Sequence, residues 1–229
     1  MAPPRRSRLI GLPLISGIAA IGGVLLIAVA IVTGNRAVPS AAPASQGAAV
    51  AGRFGGLPAN GYVLGDSDAP VSIDLYEDFQ CPACKRWGES VFPLLATNEL
   101  ANGKAKLVFH NFPFIGQESM IAARAAHAAA RQGQFWDLWH ALYANQGPEN
   151  AGTITTAGVT DLAAGLGMDR AKFAADMASS GAGIAVDASV ADAHRLNVDS
   201  TPTLIVNGKN MVGASYPELA AAIANAKGN

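Results

Sequence analysis

Hydrophobic positions follow three different patterns along this chain. From Leu9 to Val32 they are continuous, "LIGLPLISGIAAIGGVLLIAVAIV", without a single charged residue. At 1.5 Å per residue that run makes a helix of ~36 Å, enough to cross a hydrocarbon core of ~30 Å. From 33 to 60 the pattern dissolves into Ala, Pro, Gly and Ser, a composition that predicts a flexible tether because it cannot bury enough surface to fold. Beyond 60, hydrophobic positions first alternate and then recur at helical spacing. Val71, Ile73 and Leu75 alternate within "APVSIDLYEDF" (69–79), which predicts a strand. Pro82 suits the first turn of a helix extending to about Leu100, bent or interrupted at Pro93. "AKLVFHNF" (105–112) is a second strand, and strand–helix–strand is the pattern of a βαβ unit.

The period then changes. "ESMIAARAAHAAARQ" and "QFWDLWHALYANQ" predict two helices broken at Gly133; in the second, Phe135, Leu138, Trp139 and Leu142 share one face. Three more helices are expected over 156–167, 169–180 and 183–197, with Asp169 as an N-cap and Gly165 and Gly167 ending the helix before it. "STPTLIVNGKNMVG" (200–213) reads as a hairpin turning at Asn207-Gly208, and a last helix starts at Ser215 with Pro217 and Glu218 in its first turn. The order is β-α-β, a helical block at about 116–197, then β-β-α.

Charge adds direction to the first segment. Arg5, Arg6 and Arg8 precede the apolar run and no acidic residue occurs before Asp66. The positive-inside rule therefore leaves 1–8 in the cytoplasm, makes 9–32 a transmembrane anchor and sends 61–229 across the membrane as one extracytoplasmic domain. A cleaved signal peptide competes with this reading, since "AVA" (28–30) and "APA" (42–44) are small-x-small sites, but its apolar region is normally only 7 to 15 residues long. Beyond 60, eleven basic residues face seventeen acidic ones, a net of −6 that points away from nucleic acid as a partner.

The chemistry lies in "EDFQCPACKRW" (77–87), which holds both cysteines of the chain. As a structural staple the pair is weak, because a disulfide closing four residues stabilises by only ~2 kcal/mol against almost ~5 for a hundred-residue loop. As a zinc site it lacks two ligands, the four histidines (His110, His127, His140, His194) being scattered. Cu(I), content with two sulfurs, stays open. Redox exchange accounts for the context best. Cys81 falls where a strand ending at Phe79 gives way to a helix, and free N–H groups at a helix start stabilise a thiolate. Cys84, one turn on, is placed to resolve a mixed disulfide.

"DLYEDFQCPACKRW", "GQFWDLWHALYANQ" and "STPTLIVNGK" together resemble a membrane-anchored, DsbA-like thiol:disulfide oxidoreductase of the thioredoxin superfamily, over residues of about 62 to 227. The resemblance implies a thioredoxin-like α/β fold, a central mixed sheet flanked by helices, with the helical block as an inserted subdomain. It implies Cys81 as nucleophile and Cys84 as resolving cysteine, with no cofactor beyond their redox-active disulfide and no metal. Phe79, Pro82 and Ala83 would support the site, and Thr201 with a cis Pro202 would lie against it and pair with substrate backbone. Two departures matter. Many relatives carry a buried carboxylate six residues before the first cysteine, where this chain has Leu75; Asp74, Glu77 or Asp78 could substitute for it, although acids at strand ends are normally solvated. The dipeptide between the cysteines is Pro-Ala, not the Pro-His of the strongly oxidising members, so a less extreme oxidant is expected.

The activity implied is donation or exchange of disulfides in secreted and cell-envelope proteins, with re-oxidation by a membrane partner of the DsbB or vitamin-K-epoxide-reductase type. A reductase or isomerase using the same pair, a Cu(I)-binding chaperone and a non-catalytic scaffold are the competing functions.

Overall fold

The structure is a computed structural model that describes Phe54 and residues 56–226. The expected anchor (9–32) and most of the expected tether lie outside these residues. Among the described residues no helix is long and apolar enough to cross a membrane.

Six strands form one mixed sheet in the order β1-β2-β4-β3-β5-β6. They are β1 (Ala59–Asn60), β2 (Val63–Leu64), β3 (Val71–Glu77), β4 (Ala105–Asn111), β5 (Thr203–Val206) and β6 (Lys209–Val212). β3 and β4 run parallel, with Val71 opposite Ala105 and Glu77 opposite Asn111. β5 joins the other side of β3 antiparallel, Leu75 opposite Leu204. The β5–β6 hairpin turns at Asn207 and Gly208, whose φ values of 50° and 74° are the left-handed pair that a tight two-residue hairpin turn requires.

The expected helix 82–100 is split. Helix α1 (Pro82–Ser90) ends at Val91, α2 (Phe92–Leu95) follows, and a π turn covers Ala96–Leu100. Pro93 causes the split: it has no N–H for the i−4 carbonyl and its ring crowds that carbonyl, so the helix restarts with Pro93 in a new first turn. The inserted block is α3 (Gln117–Ala130), α4 (Phe135–Ala144), α5 (Thr156–Gly165), α6 (Arg170–Ala178) and α7 (Ser180–Arg195). Asp169 caps α6 by accepting the Lys172 N–H at 2.8 Å. In α8 (Tyr216–Ala226) the Glu218 carboxylate reaches back to the Ser215 N–H at 2.8 Å, the return half of a capping box.

Period two along β3 divides the packing. Ile73 and Leu75 face a large core shared with Cys84, Trp87, Trp136 and Trp139, whereas Tyr76 faces a smaller cluster with Phe112, Ala193 and Val198 under α7. The expected tether ends too late. Phe54 packs edge-on to Phe92 at 5.4 Å and lies beside Trp136 and Trp139, and Leu57 is buried, so both belong to the folded domain together with β1.

Candidate active site

β3 delivers the chain to one end of the sheet, and residues 78–81 turn it into α1. The Cys81 N–H donates to the Asp78 carbonyl at 2.9 Å. Cys81 itself is extended, with φ −70° and ψ 117°, and caps α1 with Pro82 in the first turn. Both cysteines are free thiols; Cys81 is 7% exposed and Cys84 is fully buried. Outside them Pro82 is exposed and Ala83 half-buried. The Cys81 thiol donates to the Thr201 carbonyl at 3.4 Å, and the Thr201–Pro202 bond is cis. The fold thus gathers Cys81, Cys84, Thr201 and Pro202 from positions more than a hundred residues apart. Phe79 is buried and packs on Phe109 and Tyr143, each at 5.4 Å, so it props the turn from beneath and offers substrate no surface.

The two sulfurs are driven in opposite directions. The Cys84 thiol hydrogen-bonds the Cys81 sulfur and, with Thr201 and the N–H groups of Cys84 and Ala83, brings Cys81 down to about 6 against the opposing effect of burial. Among the described residues the buried Thr201 hydroxyl has no other partner, which leaves it to turn to the Cys81 sulfur once that proton has left. Cys84 is pushed well above the ordinary thiol range, by burial first, then by its bond to Cys81 and by the charge of Glu77. Alkylation of the reduced protein by iodoacetamide should accordingly rise with a midpoint near 6. A midpoint near ~8.5, the value of an ordinary thiol, would contradict this arrangement.

Glu77 and Asp78 correct the expectation of solvated strand-end acids, each being only 1% exposed. Leu75 and Glu77 are two residues apart and so point to the same face, beneath α1. The carboxylate missing at 75 is supplied one pleat closer to the cysteines. Glu77 Oε2 accepts the Trp139 Nε1–H at 2.8 Å and the Tyr143 hydroxyl at 3.1 Å, while among the described residues its Oε1 has no partner. Burial pushes Glu77 up to about 8 in spite of those two donors, so it is mostly neutral at pH 7. Asp78 instead accepts four hydrogen bonds, from the N–H groups of Gln80, Phe114 and Ile115 and from Ser119 Oγ, which fasten the active-site turn to the start of α3. Asp74 lies on the other face and pairs with His110 at 2.9 Å.

Sequence reasoning found no distinctive residue in the helical block, yet α4 and its end supply three. Trp139 and Tyr143, at i and i+4, share one face of α4, and Gln146 lies just past the helix end. The first two hold Glu77, and Gln146 Nε2 donates to the carbonyls of Phe79 at 2.9 Å and Cys81 at 3.1 Å. The polar-tipped Trp139 and Tyr143, one turn apart on an otherwise apolar helix face, were the available signal. Among the described residues no group of three or more His, Cys, Asp or Glu side chains is placed to hold a metal.

Residues 59–225 match the family model described as Thioredoxin. The chain belongs to the thioredoxin family. Within that family it is similar to the "Probable disulfide bond formation protein D" of Bacillus cereus, 33% identical over 168 residues that cover 70% of this chain and 76% of that protein. Oxidised BdbD from Bacillus subtilis superposes with a TM-score of 0.68 at 26% identity, over 73% of this chain and 93% of that one. These likenesses make this thioredoxin-family chain a DsbA-like protein-disulfide oxidoreductase. A third relative is of another kind. The "Na(+)/H(+) antiporter NhaA 1" of Salinispora arenicola is 31% identical over 172 residues, which are 74% of this chain but only 25% of the antiporter.

Proposed function

We propose that this oxidoreductase acts through Cys81 and Cys84, outside the cytoplasm, and passes its disulfide to thiols of secreted and cell-envelope proteins. The contrast between the two sulfurs carries the reading: one at a helix start, slightly open to solvent and held as thiolate, the other fully buried and held as thiol. A substrate thiolate attacks the Cys81 sulfur of the Cys81–Cys84 disulfide. The new S–S bond forms, the old one breaks, and Cys84 departs as a thiolate that takes up a proton, with neutral Glu77 as the buried acid beside it. A second substrate thiolate then attacks the substrate sulfur of the mixed disulfide, and Cys81 leaves as its stabilised thiolate. The substrate gains a disulfide and the enzyme is left as the dithiol.

Thiolate stabilisation belongs to the reduced form alone, so it favours the enzyme as oxidant. A Cys81 value of about 6 lies between the ~7 of thioredoxin and the ~3.5 of DsbA, in keeping with a moderate oxidant. Re-oxidation falls to a membrane partner of the DsbB or vitamin-K-epoxide-reductase type, which an anchor at 9–32 would confine to the same surface. The arginines before the apolar run and a relative in which the matching region is a quarter of an antiporter support a place at the membrane.

Cys84→Ala tests the assignment, because without its resolving partner Cys81 should accumulate mixed disulfides with exported proteins that dithiothreitol releases. Absence of such adducts would sink the reading. Direction is decided by the redox state in cells: mostly oxidised for a donor, mostly reduced for a reductase or isomerase.

A further inference from the structure

The turn that presents Cys81 is held almost entirely from the inserted block. Gln80 Nε2 donates to Ser119 Oγ at 2.9 Å and to Asn150 Oδ1 at 3.3 Å, and its Oε1 accepts the Asn150 N–H at 2.7 Å. On either side of Gln80 stand the carbonyls of Phe79 and Cys81, and both hydrogens of the Gln146 amide are committed to them. Among the described residues the Cys81 carbonyl also accepts the first bond of α1, from the Lys85 N–H at a long 3.3 Å. Gln146 is therefore the side chain of the block that grips the cysteine itself, and it does so from the segment that directly follows the helix of Trp139 and Tyr143. Any movement of α4 against α1 displaces the donors of Glu77 and the clamp on Cys81 together.

We propose that Gln146 is a positioning residue of the exchange reaction, its side-chain amide holding the Cys81 turn so that the sulfur stays aimed at Thr201 and at the first amides of α1. The donors that stabilise the thiolate are directional, and a hydrogen bond weakens steeply once its angle falls below ~120°. A sulfur free to swing loses them for part of the time, and misplacement of a reacting atom by about 1 Å can cost on the order of a hundredfold in rate. The role rests on Cys81 being the exchanging sulfur.

Gln146→Met, matched in volume but without donors, and Gln146→Glu, matched in shape but presenting oxygen to both carbonyls, test this in the full-length protein. The Cys81 titration midpoint is expected to rise by about half to one pH unit in Gln146→Met, and the rate of exchange with a model peptide disulfide to fall by about three- to tenfold. Gln146→Glu should exceed Gln146→Met in both. If the midpoint and the rate stay at wild-type values while only the melting temperature drops, Gln146 is merely structural and the inference is overturned. Should Gln146→Met fail to fold, the wild-type protein still decides. The Gln146 side-chain amide resonances should exchange slowly with solvent and shift with the Cys81 titration; rapid exchange without a shift overturns the inference. An unreactive Cys81 in the wild-type protein would end the reading of the site, whereas a reactive one indifferent to residue 146 ends only the present inference.

Discussion

Cys81→Ser is expected to bring disulfide exchange down to the uncatalysed rate while leaving the fold intact. An alkoxide cannot replace a thiolate in an S–S bond, and the substituted hydroxyl still has the Thr201 carbonyl as acceptor. The stability change should therefore stay within about 1 kcal/mol. Cys84 cannot take over, because it is fully buried and its thiol is held well above the ordinary range. Oxidation of a reduced two-cysteine peptide, followed alongside thermal unfolding, checks both halves. Turnover clearly above background in Cys81→Ser would mean that substrate reaches Cys84, and the contrast between the two sulfurs would lose its meaning.

Glu77→Gln should produce a protein that is more stable in mild alkali and slower at neutral pH. Glu77 has a folded value of about 8, against an ordinary carboxyl value of 4.5. Folding thus favours its protonated form. Below pH 4.5 the group costs nothing; as pH rises towards 8 the unfolded chain releases the proton while the folded one keeps it, and stability falls. Above 8 the loss levels off at roughly 4–5 kcal/mol. Gln is isosteric with the neutral acid, accepts from Trp139 and Tyr143 in the same way, and does not titrate. Urea unfolding of the oxidised protein, which has no thiols to ionise, should show wild type and variant converging at pH 4–5 and the variant ahead at pH 9. In catalysis the variant has no proton to offer the departing Cys84. Mixed-disulfide formation at pH 7 should slow by about a hundredfold, with the gap closing above pH 8 where wild-type Glu77 is itself ionised. Parallel pH–stability curves for the two proteins would refute the burial argument.

Much of the fold could be read from local pattern. Alternation at 71–75, the Asn-Gly turn, the Asp169 cap and the glycine-ended helices each depend on residues within a few positions, and each element is present. The cysteine pair at a strand–helix junction was legible for the same reason. The errors came where a long-range contact outweighs local character. Phe54 stands in a Gly-Ala stretch that says nothing of the aromatic cluster it joins. Glu77 and Asp78 look like solvent-facing acids at a strand end; burial comes from α4 and from the start of α3 with the loop before it, both distant in sequence. Strand parity was the unused signal, because it sets Glu77 on the same face as the buried Leu75.

The connection from β4 to β5 carries a further consequence, in loop-closure entropy. Removing the insert would shorten that loop from roughly 90 residues to roughly a dozen. The closure term grows only as (3/2)RT ln n, so the longer loop costs about 2 kcal/mol more. Full burial of Leu204 or of Val206 on β5 is worth about 1.5–3 kcal/mol each. A block of five helices, packed into the core it shares with the sheet and carrying three of the side chains that grip Glu77 and Cys81, can therefore sit between the two strands that flank β3 at an entropic cost that one buried residue offsets.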